Sequence, residues 1–290
     1  MKFPQLNDWE NTSRALHQAS MILAPIQNVL LEPRKNYLNL PMFIEPTGLR
    51  SLELPQSGVI HVDYKAGALV YKRKGAEVAR IKYTDYTQAT LFETLLEILK
   101  RDELAAFYAD FSGASLTEDL ITRLHADETR TAFLKLEDVT YDEPLEYNPQ
   151  TASDYADVLY GVFTGVARFR GYLTGHMSPI VVWAEHFDLS TLWFHPDNAA
   201  MDDGKAHINF GFAPFSDGFE QPYLYVYIYP YPDDFTAPEL PAPAVWNREG
   251  FRGIVVRYPD LMVQDDAVQF IEALYLQLFD ILMPHLSTDV

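Results

Sequence analysis

The densest group of residues able to do chemistry is the segment Trp183-Ala-Glu-His-Phe-Asp188. His186 is close to neutral at pH 7, so it could act as a general base, a proton donor or a metal ligand. Asp188 or Glu185 would orient its ring, because carboxylates commonly accept a hydrogen bond from an imidazole. We therefore predict His186, Asp188 and Glu185 as the catalytic candidates of a hydrolase- or lyase-type site.

Two other interpretations of this segment stay open. Together with His195 and His207, it could form a His/carboxylate metal site that assists such an enzyme. The spacing is not that of a metal-binding motif, so no residue is assigned as a metal ligand and the cofactor is left unknown. In a structural interpretation, His186 and Asp188 bind backbone groups while the aromatic residues pack, because networks of charged groups are often structural.

The second notable feature is the run Tyr223-Leu-Tyr-Val-Tyr-Ile-Tyr229, in which tyrosine alternates with aliphatic residues. Alternate side chains of a strand point to the same face, so the four tyrosines share one face of a predicted strand. Tyrosine is apolar in its body and polar at its tip, which suits the wall of a ligand cavity. In the preceding segment Asn209-Phe-Gly-Phe212, Gly211 would permit the close approach of a backbone or a ligand.

Together these features predict a pocket for a small apolar or aromatic molecule, because such pockets have apolar walls and few polar groups. The predicted lining and ligand-binding residues are Trp183, His186, Trp193, Tyr223, Tyr225, Tyr227 and Asn209. One alternative is the enzyme described above. Another is a structural or interaction protein whose tyrosine-rich sheet face forms a homodimer or partner surface. In a further alternative the tyrosines only stabilise a half-exposed sheet.

The composition narrows the classes of function. The chain has 290 residues, of which 48% are apolar and 22% charged, so it can bury a sizeable core. The 22 lysine and arginine residues against 41 aspartate and glutamate residues give a net charge of −19. Such a surface repels phosphate, and we expect neither a nucleic-acid nor a membrane partner. Without cysteine the chain has no disulfide, zinc–thiolate site or thiol nucleophile.

Sequence signatures of common enzymes and of membrane insertion are also absent. The chain has no glycine-rich phosphate loop, no HExxH metalloprotease motif and no GxSxG nucleophile elbow. It has no run of about 18 apolar residues that would predict a membrane span. Residues 1–11 lack the basic-then-apolar pattern of a signal peptide, so we expect a cytoplasmic protein.

The elements that must position these residues follow the same order in two halves of the chain. The first half has predicted helices at 12–30, where Pro25 is expected to kink the helix or end its regular part, and at 87–100. Between them lie five predicted strands, at 38–45, 49–54, 58–64, 68–73 and 77–83. A helical segment is predicted at 115–136. The second half has predicted helices at 151–172 and 263–283, with strands at 178–184, 188–195, 206–212, 222–229 and 251–257.

Short sequence matches in the same order suggest an internal duplication. Pro41–Ile44 and Leu49–Leu52 align with Pro179–Val182 and Leu189–Leu192, Ile60–Val62 aligns loosely with His207–Asn209, and Ile81–Asp85 aligns with Val256–Asp260. We therefore predict an α+β fold of two similar helix–five-strand–helix halves packed as one compact unit. Residues 1–102 form the N-terminal half, 103–150 a helical linker and 151–290 the C-terminal half. Chance similarity among β-rich segments is the alternative.

Several of these segments carry a family resemblance across nearly the whole chain. They are Trp9-Glu-Asn-Thr12 with Leu16-His17, Val182-Trp-Ala-Glu-His-Phe-Asp-Leu189 with Leu192-Trp-Phe194, Asn209-Phe-Gly-Phe212, and Pro222-Tyr-Leu-Tyr225 through Tyr229-Pro-Tyr-Pro232. The chain resembles a family of uncharacterised bacterial proteins, domain of unknown function 5996. The resemblance implies one shared architecture and no assigned activity. Family members often have Asn-His-Trp-Trp-His where this chain has Lys35-Asn-Tyr-Leu-Asn39, so any site built on those histidines is absent here.

Overall fold

The computed structural model describes residues 1–102, 115–130, 135–216, 218–232 and 235–286. The chain divides into two compact units. Asn7–Ala156 form one, which we call the N-terminal unit, and Met1–Leu6 with Asp157–Val290 form the other, the C-terminal unit. Helices accompany antiparallel sheets in both, so the fold is α+β, as predicted. The described residues of the segment 103–150 belong to the N-terminal unit.

The N-terminal unit contains a five-stranded antiparallel sheet whose strands follow one another in chain order. They are β1 (Phe43–Glu45), β2 (Gly48–Arg50), β3 (Gly58–Asp63), β4 (Ala68–Arg73) and β5 (Ala76–Lys82). Its helices are α1 (Trp9–Met21), α2 (Leu23–Leu30), α3 (Gln88–Arg101) and α4 (Leu116–Ala126). Each predicted strand of this half is present, although the first begins at Phe43 rather than at residue 38.

The helix predicted at 12–30 is two helices, α1 and α2, which meet at Ile22. Pro25 lies in the first turn of α2. Proline fits there because the first N–H groups of a helix have no partner within it, whereas in a helix interior the ring clashes with the preceding turn. The break therefore comes just before the proline, instead of a kink at it.

Helix α4 is held at its start by a side chain of α3. The carboxylate of Glu93 accepts hydrogen bonds from the backbone N–H groups of Leu116 at 2.7 Å and Thr117 at 3.0 Å. Burial acts to raise the pKa of Glu93, but these hydrogen bonds outweigh it, and the pKa lies below the usual value for glutamate. Glu93 thus joins the two helices through N–H groups that would otherwise lack partners.

The helix predicted at 115–136 is shorter than the sequence suggested. Helix α4 ends at Ala126, and Asp127 then accepts a hydrogen bond at 3.0 Å from the backbone N–H of Thr129. Aspartate side chains that bond to the backbone two residues ahead favour a turn over a continued helix. Residues 131–134 of the predicted helix lie outside the described residues.

The C-terminal unit is built on a seven-stranded sheet preceded by α5 (Pro149–Arg170), within which the boundary between the two units falls. The strands are β6 (His176–Met177), β7 (Val181–Val182), β8 (Leu189–Phe194), β9 (His207–Ala213), β10 (Tyr223–Tyr229), β11 (Val245–Asn247) and β12 (Gly253–Arg257). Their order is β11-β12-β10-β9-β8-β6, and β7 also pairs with β8. Two helices follow, α6 (Tyr258–Met262) and α7 (Ala267–Leu282).

Helices α5 and α7 cover one face of this sheet, which we call the helix face. The ring of Phe169 on α5 lies 4.6 Å from Phe210 of β9 and 5.6 Å from Tyr275 of α7, measured between centroids. All three side chains are fully buried. Such aromatic contacts add to the free energy of burial and fix the face of the sheet that points toward the helices.

The internal duplication is not confirmed. The matched segments do lie in equivalent places, in the β1–β2 and β7–β8 hairpins, in β3 and β9, and where β5 and β12 end. The first sheet has five strands and the second has seven. In the second sheet β11 forms the edge, and β12 lies between β11 and β10. The two additional strands of the second sheet are β6 and β11, of two and three residues.

One helical segment among the described residues, Ala267–His285, is long and apolar enough to cross a membrane by length and composition alone. The core helix of a water-soluble domain passes the same test. Ile271, Leu274 and Leu278 of this segment are buried inside the unit.

Candidate functional site

The tyrosines of β10 lie on the sheet face opposite α5 and α7. Three pairs join β10 to β9 on this face, namely Tyr223 with Ala213, Tyr225 with Gly211 and Tyr227 with Asn209. Val226 pairs with Phe210, which packs against Phe169 on the helix face. Because side chains alternate along a strand, the aliphatic residues of β10 point to the helices and the tyrosines point away. The alternation predicted from the sequence is confirmed.

The side chain of Tyr225 lies directly across β9 at Gly211. A Cβ atom placed on Gly211 would be 2.0 Å from the Cζ atom of Tyr225, so no larger residue fits without moving the ring. Tyr225 thereby reaches beyond β9, and its hydroxyl donates a hydrogen bond to Oδ2 of Asp188, the residue just before β8. The missing side chain at Gly211 is what lets the tyrosine and the carboxylate meet.

A second tyrosine hydroxyl on the same face also takes part in a hydrogen bond. The hydroxyl of Tyr227 accepts a hydrogen bond from Nδ2 of Asn209 at 2.8 Å. The rings of Tyr225 and Tyr227 are parallel within 10°, with centroids 6.1 Å apart. Asp188 and Asn209, each bonded to one of these two hydroxyls, therefore occupy adjacent positions on one surface.

Three buried side-chain atoms have no hydrogen-bond partner among the described residues, and two of them lie on this surface. They are Oδ1 of Asp188 and Oδ1 of Asn209, and the third is Nε of Arg170. Buried polar atoms are nearly always paired, so two unpaired acceptors on one face call for an explanation. We call the surface formed by Asp188, Asn209, Tyr223, Tyr225 and Tyr227 the tyrosine face.

The electrostatics of the tyrosine face centre on Asp188. Burial raises the pKa of its carboxyl group above the usual value for aspartate. The hydrogen bond from Tyr225 and the charge of His186 act in the opposite direction without overcoming burial. Burial, followed by the negative charge of Asp188, also raises the pKa of Tyr225, so its hydroxyl keeps its proton and remains a donor.

Two phenylalanines from neighbouring loops cover part of the tyrosine face. The ring of Phe219 stacks on Tyr223 with centroids 4.1 Å apart, and Phe251 lies edge-on to Tyr225 at 6.2 Å. As a result Tyr223 is 4% exposed and Tyr225 7% exposed. The two phenylalanines thus cover the Tyr223 and Tyr225 part of the face, whereas Tyr227 is half-buried and Tyr229, at the end of β10, is exposed.

Comparison with known protein families identifies the chain. A profile described as "Family of unknown function (DUF5996)" matches residues 3–281 of the 290 residues. The chain belongs to the DUF5996 family. The resemblance seen in the sequence is thereby confirmed. Comparison with curated proteins gives no match, and neither does comparison with solved structures.

In this DUF5996 protein the structure does not join His186 to a carboxylate. His186 and Glu185 are exposed at the tip of the β7–β8 hairpin. The tip is closed by backbone hydrogen bonds from Phe187 to Trp183 at 2.8 Å and from Trp183 to Asp188 at 3.0 Å. Within the described residues His186 forms no hydrogen bond or ion pair with Asp188 or Glu185, so the catalytic pair expected from the sequence does not form here.

The two predicted tryptophans lie in different environments. Trp183 is half-buried beside the tyrosine face, where its Nε1 donates to Oγ of Ser190 at 3.0 Å. Trp193 lies on the helix face, since it pairs with Ile208 and packs edge-on against Phe279 of α7 at 5.0 Å. Its Nε1 donates to the carbonyl of Thr174 at 2.9 Å. The structure therefore does not bring Trp193 together with the tyrosines.

The two histidines considered for a metal site, His195 and His207, each contact a different group. His195 is 3.6 Å from a carboxylate oxygen of Asp197, and the ring of His207 is 2.7 Å from the carbonyl of Lys205. In the described part of the chain no group of three or more metal-binding side chains could hold an ion. Two further carboxylates, Asp233 and Asp234, which the sequence suggests form a solvated turn after Pro232, lie outside the described residues.

Sequence reasoning missed three residues that shape the tyrosine face. Phe219 and Phe251 enclose it, and Ser216 lies 2.8 Å from the hydroxyl of Tyr223. All three come from loops, where no periodic pattern predicts which side chains return to the sheet. Gly211, by contrast, is identified from the sequence as a point of close approach, and the structure shows that the approaching group is the ring of Tyr225.

A concave surface with a volume of about 180 Å³ lies in the N-terminal unit. It is lined by residues of α1, including Arg14 and Gln18, and by Tyr141 and Glu143. Its polar groups bind one another or nearby residues, for example Arg14 with Glu10 at 3.2 Å and Tyr141 with Glu143 at 2.6 Å. It offers no unpaired buried group to a ligand, so the tyrosine face is the stronger candidate.

Proposed function

We propose that this DUF5996 protein binds a small, partly aromatic or apolar molecule on the tyrosine face. The observation that carries the proposal is the buried Oδ1 atom of Asn209, which accepts no hydrogen bond from any described residue. Asn209 is only 6% exposed. A buried acceptor left unpaired costs about 1–3 kcal/mol, and a ligand that donates to it recovers this free energy on binding.

The chemistry of the surrounding residues supports the same proposal. Small-molecule sites combine apolar and aromatic walls with a few fixed polar groups. The tyrosine face supplies aromatic rings from Tyr223, Tyr225 and Tyr227 together with two acceptors, the Oδ1 atoms of Asp188 and Asn209. The hydrogen bonds to Tyr225 and Tyr227 fix both acceptors in place before a ligand arrives. Preorganised groups bind more tightly because less entropy is lost on association.

Isothermal titration calorimetry with three compounds that share one ring tests the proposal. The compounds are benzylamine, benzyl alcohol and benzoate. We expect saturable binding of at least one of them, and we expect Asn209→Leu to weaken it about tenfold or more, because the acceptor is lost. Trp246→Phe is the control, since Trp246 lies on β11, pairs with Ile254 and donates to the carbonyl of Pro238 away from this face.

The control variant should bind like the unchanged protein. Circular dichroism establishes whether Asn209→Leu is folded, and Asn209→Ser, which shortens the side chain without adding apolar bulk, is the second variant. Absence of saturable binding by all three compounds would overturn the proposal. So would full affinity in both folded Asn209 variants.

A further inference from the structure

Asp188 supplies the acidic group of the tyrosine face, and the charge of His186, at the exposed hairpin tip, acts to lower its pKa without forming an ion pair with it. Its Oδ2 atom accepts the hydrogen bond from Tyr225, whereas its Oδ1 atom is buried and accepts none. No lysine, arginine or histidine of the described chain forms an ion pair with it. A buried carboxylate is costly unless a cation and further hydrogen bonds compensate it. The site therefore lacks a positively charged donor on the Oδ1 side.

The aromatic rings around Asp188 also favour a cation. The face of an aromatic ring carries partial negative charge and attracts ammonium and guanidinium groups. The guanidinium of Arg257 already lies 5.0 Å from the ring centroid of Phe219, on the cluster that covers this site. Oδ1 of Asn209 adds a second acceptor but no donor on that side. The carboxylate of Asp188, the amide oxygen of Asn209 and the faces of the aromatic rings thus all carry negative potential.

The net negative charge of the whole chain also favours a cationic ligand. A net charge of −19 raises the concentration of small cations near the surface and lowers that of anions. Of the head groups that could donate to Oδ1 of Asp188, a neutral hydroxyl or amide forms one ordinary hydrogen bond. An ammonium group forms a charge-assisted bond, which is about twice as strong.

We propose that the ligand of the tyrosine face is a small organic cation, an amine with an aromatic or apolar body, whose ammonium group donates a hydrogen bond to Oδ1 of Asp188. This inference rests on the proposed function and names the chemical class of its ligand. The apolar body lies among the rings of Tyr223, Tyr225 and Tyr227, and Oδ1 of Asn209 takes a second N–H of the ligand.

The test compares the three head groups and then removes the charge of Asp188. In the unchanged protein benzylamine should bind about tenfold or more tightly than benzyl alcohol, and benzoate should bind more weakly still. Asp188→Asn keeps the size of the side chain and an acceptor for Tyr225, so it should weaken benzylamine about tenfold and leave benzyl alcohol nearly unchanged. Glu249→Gln, at an exposed position, is the control for loss of one negative charge.

The possible outcomes distinguish failure of the cation inference from failure of the proposed function. Equal affinities for benzylamine and benzyl alcohol would overturn the cation inference while the proposed function stands. Binding by none of the compounds would overturn both. An equal loss of benzylamine affinity in Glu249→Gln would mean that net charge, and not Asp188, is responsible, which also contradicts the inference. The head-group series in the unchanged protein decides the matter even where Asp188→Asn does not fold.

Discussion

Gly211→Val is expected to destabilise the C-terminal unit by about 3–5 kcal/mol and to abolish binding on the tyrosine face. A Cβ at this position would lie 2.0 Å from Cζ of Tyr225 and 2.3 Å from its hydroxyl oxygen, and valine adds two methyl groups beyond it. The ring of Tyr225 cannot move freely, because Tyr227 and Phe251 pack around it. If the ring is displaced, Asp188 also loses its hydrogen-bond donor.

Thermal unfolding followed by near-ultraviolet circular dichroism measures this effect, since that signal is lost when the tertiary packing of aromatic side chains is lost. Gly204→Val is the matched control because Gly204 is exposed and the nearest atom to an added Cβ is Oδ1 of Asp202, at 3.3 Å. The control should unfold within about 0.5 kcal/mol of the unchanged protein. A Gly211→Val protein as stable as its control would show that Tyr225 does not lie across β9.

Gln27→Leu is expected to destabilise the N-terminal unit by about 3–5 kcal/mol. Gln27 is fully buried, and its amide joins three separate backbone groups. Its Nε2 donates to the carbonyls of Leu40 at 2.6 Å and Pro41 at 3.3 Å, and its Oε1 accepts from the N–H of Leu52 at 2.6 Å. Leucine has a similar volume but leaves all three groups buried without a partner.

Urea denaturation, together with hydrogen exchange at the Leu52 amide, measures this second effect. The exchange rate at Leu52 reports the lost hydrogen bond even where the overall transition includes both units. Gln150→Leu is the control, because Gln150 is exposed and bonds only to neighbouring residues of its own helix turn. Unchanged protection of the Leu52 amide in Gln27→Leu would contradict the role assigned to this glutamine.

The strands of both units could be predicted largely from alternation and turn residues. The run from Tyr223 to Tyr229 predicts a strand with one aromatic face, and β10 has those bounds. Strands β6 and β11 were missed because two or three residues carry no periodic signal and depend on their neighbours in the sheet. The break at Ile22 was misplaced because Pro25 suits the first turn of a helix as well as a kink.

The candidate site was only partly predictable because its contacts depend on register. The sequence places Asp188 two residues from His186, and proximity along the chain suggested that they act together. The structure instead joins Asp188 to Tyr225, 37 residues away, through the gap over Gly211. Trp193 was expected beside the tyrosines, but the pairing of β8 with β9 turns it toward the helices. A shift of one residue in that pairing would exchange the faces, and sequence alone does not fix it.

The most direct test of the tyrosine face as a binding site is a crystal structure of the protein with benzylamine. We expect the ligand among the rings of Tyr223, Tyr225 and Tyr227, with its nitrogen within about 3.2 Å of Oδ1 of Asp188 or of Asn209. Benzylamine bound only elsewhere, with the Oδ1 atoms of both residues paired to water or to protein groups, would contradict it.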